Sequence, residues 1–279
     1  MAPFLAYEDK GPTRGPASSR QPHASPVPLV LVHGHPFDRS MWSPQIGAFS
    51  PGRRVVAPDL RGYGASPATP PVTDFSGFAR DVEALLDELD VDSCVLAGLS
   101  MGGQIVLDCY RLFPERLRGL VLADTFPAAE TPEGVRSRDA TADRLLAEGL
   151  GNYADEVLER MVAPYASAGV KAHVHAMMTG TSPQGAAAAL RARARRPDLT
   201  ALLPRVRVPA LVVVGADDTY TPVSDARAMH AALPDSTLHI VEGAAHLPNL
   251  ERPAEFDRAL AAFLDRVDAG QPSSAPPRP

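Results

Sequence analysis

The sequence lacks any long apolar run. Stretches such as Pro28 to Val32 and Pro209 to Val214 fall far short of the ~18 residues a membrane helix needs. It also lacks an apolar N-terminal segment: Phe4-Leu5-Ala6 is followed at once by Tyr7-Glu8-Asp9-Lys10, so no signal peptide is expected. Cysteine is scarce, with only Cys94 and Cys109. Two thiols make neither a disulfide framework nor a metal site, and they suit a reducing compartment, so the expected location is cytoplasmic. Positive charge is in deficit: 27 Lys and Arg stand against 33 Asp and Glu, a net charge of −6. That balance argues against nucleic acid as a partner. Internal repeats are missing as well, which excludes a solenoid. What remains is a small-molecule partner, with no membrane, no nucleic acid and no metal.

The 279 residues are 45% hydrophobic and 22% charged, an ordinary globular balance and enough chain to bury a large core. Proline is in excess. Of 29 prolines, six lie between Pro3 and Pro28 and four between Pro272 and Pro279. Residues 1–26 therefore read as a flexible Pro/Ser-rich segment, with one edge strand around 3–9, and residues 269–279 as a disordered tail. The ordered protein is expected over 27–268.

Inside that span, short apolar runs alternate with helical periodicity. Leu29 to Val32, Arg54 to Asp59, Cys94 to Leu99, Leu120 to Ala123, Ala210 to Val214 and Thr237 to Val241 read as strands buried on both faces. Phe75, Phe78, Val82, Leu85, Leu86 and Leu89 form one apolar helical stripe, Met101 to Phe113 a second helix, and Phe256, Leu260, Phe263, Leu264 and Val267 a closing one. Strand and helix in alternation predict an α/β fold, a mostly parallel central sheet of about seven or eight strands with right-handed crossovers. Residues 127–207 break the pattern. They hold Ala-rich amphipathic stretches around 133–149, 153–163, 169–179 and 184–196 and no strand-like run. They read as a helical cap inserted into a core of 27–126 and 208–268, over the carboxyl ends of the strands, where open α/β sheets bind ligands.

Chemistry concentrates at four strand ends. Gly98-Leu99-Ser100-Met101-Gly102 matches G-x-S-x-G between a predicted strand and a predicted helix, the setting of a nucleophile elbow. A serine on so sharp a turn tolerates only small residues two positions before and after it. The Met101 amide would open the helix as a donor for an oxyanion. The loop His33-Gly34-His35-Pro36 follows the first strand and can supply a second donor, the His35 N–H. Gly215-Ala216-Asp217-Asp218 and Gly243-Ala244-Ala245-His246 follow the last two strands. A serine nucleophile needs a base, and the base needs an acid to orient it. Ser100, Asp218 and His246 occur in that order, each past a strand end. Spacing from Gly215 selects Asp218 over Asp217, and Asp124 is a further candidate acid.

With these residues in register, the chain resembles the α/β-hydrolase superfamily over nearly all of residues 27–268. The resemblance rests on His33 to Pro36, Asp59-Leu60-Arg61-Gly62-Tyr63-Gly64-Ala65-Ser66, Gly98 to Gly103, Gly215 to Asp218 and Gly243 to His246. It implies Ser100 as nucleophile, His246 as base, Asp218 as orienting acid, and the His35 and Met101 amides as oxyanion hole, with no cofactor. Within the superfamily, the elbow, Leu122 to Thr125 followed by Glu130 to Glu133, and Met177-Met178 before Pro183-Gln184-Gly185 look most like 3-oxoadipate enol-lactonases. The His-Gly-His-Pro loop instead follows the general esterase pattern. The implied activity is cleavage of a small carboxylic ester or lactone. A ligand receptor, or a cofactor-free lyase or perhydrolase, would use the same residues. Serine at the elbow excludes the carboxylate-nucleophile chemistry of haloalkane dehalogenases and epoxide hydrolases.

Phe37, Phe126, Met161, Tyr165, Met177 and Tyr220 are candidates for lining the substrate pocket. Asp59 and Arg61 read as loop-fixing residues. Arg191, Arg193, Arg195 and Arg196 read as a solvated basic helix face, with Arg191 or Arg195 as the member that would meet a substrate carboxylate. His173 and His175 do not share a helical face and read as exposed. Cys94 and Cys109 read as small core residues.

Overall fold

Apolar runs without alternation form the strands, because each must be covered on both faces. The computed structural model describes residues 5–12 and 26–270. The expected loose ends at 1–4, 13–25 and 271–279 lie outside the described residues. The chain runs β1 (Tyr7–Lys10), β2 (Leu29–Val32), α1 (Ser43–Phe49), β3 (Val55–Pro58), α2 (Ser76–Glu88), β4 (Cys94–Leu99), α3 (Met101–Leu112) and β5 (Leu117–Ala123). Four helices follow: α4 (Pro132–Glu148), α5 (Gly151–Met161), α6 (Ala168–Gly180) and α7 (Pro183–Ala194). The chain then closes with β6 (Ala210–Gly215), α8 (Val223–Ala232), β7 (Ser236–Val241), α9 (Pro248–Glu251) and α10 (Pro253–Asp268).

The described strands make one seven-stranded sheet, ordered β1-β3-β2-β4-β5-β6-β7. Only β1 is antiparallel; it pairs along β3 at one edge, where it is partly exposed. Every residue of β2, β3, β4 and β6 is buried. Successive side chains alternate between two apolar layers, as a strand's period of two requires. Cys94 and Leu96 face the layer built on α2, α3 and α8, while Val95, Ala97 and Leu99 face the layer built on α1 and α10. Both cysteines are buried and free, and burial pushes the Cys94 thiol up to about 12. Strand β5 starts three residues earlier than its apolar run, because Leu117-Arg118-Gly119 carries an exposed arginine that interrupts the pattern.

The order of addition reverses between β2 and β4. Strand β3 joins one side of β2 and β4 the other. Ligand crevices in open α/β sheets form at such a switch point, beyond the carboxyl ends of the strands.

The four helices between β5 and β6 start on local signals. Thr131, Ser167 and Ser182 each accept the backbone N–H three residues on, and Pro132 and Pro183 occupy the first turns of α4 and α7, which suits residues with no N–H to satisfy. Helices α4 and α7 pack on each other through Ala142, Leu145, Ala186, Ala187 and Leu190. The insertion touches loops at the carboxyl ends of the strands: Thr181 Oγ1 donates to the Pro36 carbonyl at 3.0 Å, and Ala163 N to Glu251 Oε2 at 2.7 Å. Among the described residues no helix is long and apolar enough to cross a membrane.

Candidate active site

The sheet brings four motifs to one side. Leu99 pairs with Ala123, Ala123 with Val213, and Gly215 with Val241 at the same ends of neighbouring strands β4 to β7, and Ser100, Asp124, Asp218 and His246 follow the strands. A surface groove lined by Asp9, Arg54 and Asp90 lies at the opposite end of the sheet.

Ser100 stands between β4 and α3 at φ 56°, ψ −117°, a strained conformation for a residue with a side chain. Its backbone is tied on both sides. Its N–H donates to the Ala123 carbonyl at 2.9 Å, and its carbonyl accepts Thr125 Oγ1 at 2.7 Å and Gln104 N at 3.2 Å. The flanking glycines are steric necessities: a Cβ on Gly98 would collide with the Gly102 carbonyl, and one on Gly102 with the Val32 carbonyl. Met101 is the first residue of α3. Its N–H therefore has no partner within the helix and sits at the positive end of the helix dipole.

The His33–Pro36 loop lies against this turn. A Cβ on Gly34 would fall 3.0 Å from the Leu99 carbonyl and 3.3 Å from Ser100 Cβ, so close approach explains the glycine. His33 pins the loop: Nδ1 donates to the Gly34 carbonyl at 2.8 Å, and Nε2 accepts Leu60 N at 2.9 Å. One nitrogen donating and one accepting is the neutral ring, and burial lowers its pKa. His35 Nδ1 lies 2.7 Å from the Tyr63 hydroxyl. Burial, then the charge of Arg193, holds His35 well below its ordinary value. Asp59 fixes the adjacent turn by accepting Arg39 N and Ala65 N, each at 2.8 Å, and Arg61 pairs with Asp81.

His246 Nδ1 donates to Asp218 Oδ2 at 2.8 Å. The Thr221 hydroxyl donates to the same oxygen, and Tyr220 N donates to Oδ1 at 2.7 Å. Burial pushes the Asp218 carboxyl upward, but His246, Thr221 and Tyr220 outweigh it and hold the group below its ordinary value. Asp217 is exposed and takes the Tyr165 hydroxyl instead. Asp124 Oδ1 accepts Gly215 N at 2.9 Å, and its Oδ2 is buried without a partner. Burial, then the charge of Asp218, drives Asp124 well above the usual carboxylate range. Ligand atoms of Asp124, Asp218 and His246 fall within 4.8 Å of one another, the one grouping among the described residues that could surround an ion. The hydrogen bonds just given already engage both oxygens of Asp218 and Nδ1 of His246.

Glu251 is a residue that sequence reasoning missed. From α9, its Oε1 accepts Ala245 N at 3.0 Å and Leu247 N at 3.3 Å, on either side of His246. Its Oε2 holds Ala163 in the insertion. Thr221, Thr125 and Gln104 were likewise given no role. Each takes its part from hydrogen bonds that only the fold arranges.

The expected lining residues separate. Tyr220 reaches the site, its ring 5.3 Å from that of His246. Phe126 lies under the Arg196 guanidinium at 5.0 Å. Phe37, Met161 and Met177 are buried in one apolar cluster with Leu99, Val174 and Met178, so they pack the junction of insertion and sheet. Tyr165 is corrected: it is 58% exposed and bonds Asp217, because it falls in the turn after α5. The solvated arginine face is corrected too. Arg191 is half-buried and Arg195 exposed, paired with Asp143 and Asp139, whereas Arg193 and Arg196 are buried. Helical spacing turns the two pairs to opposite sides of the chain. His173 and His175 are half-buried, with contacts to Ser40 and Asp155, instead of exposed.

The sequence model of the alpha/beta hydrolase family matches residues 29–259. The chain belongs to the alpha/beta hydrolase family. This hydrolase is 34% identical over 246 residues to 3-oxoadipate enol-lactonase 2 of Acinetobacter baylyi, covering 86% of its own length and 89% of the relative's. Among solved structures, the hydrolase resembles a thermophilic esterase from Thermogutta terrifontis with malate bound, at a TM-score of 0.88 and 35% identity, over 95% and 94% of the two chains. It also resembles the enol-lactonase of Burkholderia xenovorans LB400, at a TM-score of 0.81 and 28% identity, over 94% and 96%. The hydrolase is thus an enzyme of this family, with the α/β-hydrolase fold expected from its motifs.

Proposed function

We propose that this hydrolase cleaves a small carboxylic ester or lactone through Ser100, His246 and Asp218. The observation that carries the reading is the 2.8 Å His246–Asp218 bond, held at the same end of the sheet as Ser100 on its strained turn. Asp218 fixes the ring with Nδ1 as donor, which leaves Nε2 free to act as base. Ser100 gives its proton to His246 as its oxygen attacks the carbonyl. The tetrahedral oxyanion is met by the Met101 and His35 amides. Collapse breaks the ester C–O bond, and the proton passes from His246 to the leaving oxygen. In a lactone that oxygen stays tethered to the acyl chain. Water, deprotonated by His246, then releases the acid and restores Ser100.

The inserted helices 127–207 act in this reading as a cap that selects the substrate. Likeness to two enol-lactonases and one esterase supports an ester or lactone, with an enol-lactone as the finer assignment. Purified enzyme tested on aryl esters, alkyl esters, γ-lactones and enol-lactones, with products identified, decides the class. Multiple turnovers with acid as product are expected. A single slow turnover would indicate a receptor, and a peracid formed only with peroxide would indicate a perhydrolase.

A further inference from the structure

Arg193 is an anomaly among the arginines. It is 8% exposed, yet no carboxylate pairs with it among the described residues. Its neighbours do not supply the missing charge. Glu130 is shared between Arg138 and Arg196, and the charge of Asp198 acts on Arg196. Burial, then the charges of Arg138 and Arg196, depresses the Arg193 pKa well below its ordinary value. A buried cation without a counter-ion is costly to keep, so a structural purpose alone does not account for it.

The surroundings define what would fit. Arg193 Nε donates to Gln104 Oε1 at 2.8 Å. A guanidinium has no acceptor, so this contact must use the amide oxygen and turns Gln104 Nε2 away from it. That Nε2 is buried and has no acceptor. The nearby His35 Nε2 is also buried without a partner, and it is a further donor in the tautomer whose Nδ1 accepts the Tyr63 hydroxyl. Donors thus collect where acceptors are missing, around a positive group. The complementary ligand is an anion with several acceptor oxygens, and a carboxylate matches the guanidinium fork. Position ties this to the reacting centre. Gln104 follows Ser100 by one turn of α3 and donates its N–H to the Ser100 carbonyl, and side chains so spaced start about 5–6 Å apart.

We propose that Arg193, with the side-chain amide of Gln104, binds a carboxylate carried by the substrate a few bonds from the scissile carbonyl, so that monoanionic esters or lactones are preferred over neutral ones. This rests on the hydrolase reading above and transfers the anion-binding role from Arg191 and Arg195, which are spent on surface pairs, to the arginine that faces inward.

The test compares p-nitrophenyl hydrogen glutarate with p-nitrophenyl butyrate. The wild-type kcat/KM ratio should favour the glutarate ester, and Arg193→Gln should lower that ratio thirty-fold or more. A ratio unchanged in folded R193Q, or a wild-type preference for butyrate, overturns the proposal. If R193Q does not fold, Arg193→Lys serves: an ammonium cannot hold Gln104 and a carboxylate in one fork, so the ratio should still fall several-fold, and a wild-type ratio overturns. If the wild type hydrolyses neither ester, the hydrolase reading fails by itself, and calorimetry with glutarate reads the anion site alone. Binding to wild type and not to the variant supports the site; equal binding or none overturns it.

Discussion

Asp124 and Asp218 extend from adjacent strands toward one imidazole, and Asp218 holds it. Its Oδ2 accepts His246 Nδ1 at 2.8 Å, while Asp124 is turned to the Gly215 amide. The two carboxyls cannot both ionise cheaply in one buried group. The acid paired with His246 and Thr221 is held low, and the unpaired one is driven high. Environment therefore assigns different states to two residues of the same type.

Ser100→Ala is expected to abolish labelling by a fluorophosphonate probe and to cut ester turnover by ~10³-fold or more. Labelling that persists on the variant would place the nucleophile elsewhere.

Asp218→Asn should reduce kcat by about 10⁴-fold, because the amide can donate to the ring and stabilise the wrong tautomer. Asp217→Asn should stay within threefold of wild type, since its partner is the exposed Tyr165. Equal losses from both substitutions would contradict the pairing of Asp218 with His246.

Asp124→Asn should alter how stability depends on pH. A carboxyl whose folded pKa is raised contributes stability that is full below its unfolded value of about 3.9 and is lost as pH rises through the folded value. Burial raises Asp124 in this way. Wild type should therefore lose melting temperature relative to the variant as pH increases above 4, levelling off above the folded pKa. A difference that stays flat from pH 4 to 10 would refute a raised Asp124. Asp218 has the opposite sign: its contribution is present above about 3.9 and is lost as pH falls through its lowered value.

Glu251→Ala removes the acceptor for three backbone amides at once. Leaving buried N–H groups unmet costs about 1–3 kcal/mol, which thermal unfolding would measure. Loosening the two residues that flank His246 should also lower kcat more than it raises KM. A variant with wild-type kcat would reduce Glu251 to a purely structural clamp.

Much of the fold was legible because its causes are local. Unalternating runs such as Cys94 to Leu99 can only be satisfied inside a two-faced sheet. Ala-rich amphipathic stretches such as those around 133–149 and 184–196 form helices wherever they lie in space. The residues at strand ends were legible for a related reason: Gly98 and Gly102 leave no room for other side chains at the turn, so the motif betrays the geometry. Arg193, Gln104 and Tyr165 were not legible, because their partners lie far along the chain, as does Ala163, the distant partner of Glu251. The Arg191–Arg196 run is the clearest case. Its composition reads as one basic face, yet two of its members pair with the outlying carboxylates of Asp143 and Asp139 and two end in the interior.

The sequence by itself determined the alternation of strand and helix, the elbow at Ser100 and the order Ser, Asp, His, because periodicity and steric fit are properties of neighbouring residues. Only the tertiary structure decided which acid holds His246, which arginine is left without a counter-ion, and which aromatic residues reach the site. Those outcomes depend on burial and on hydrogen bonds between distant segments, and burial belongs to the packed chain as a whole.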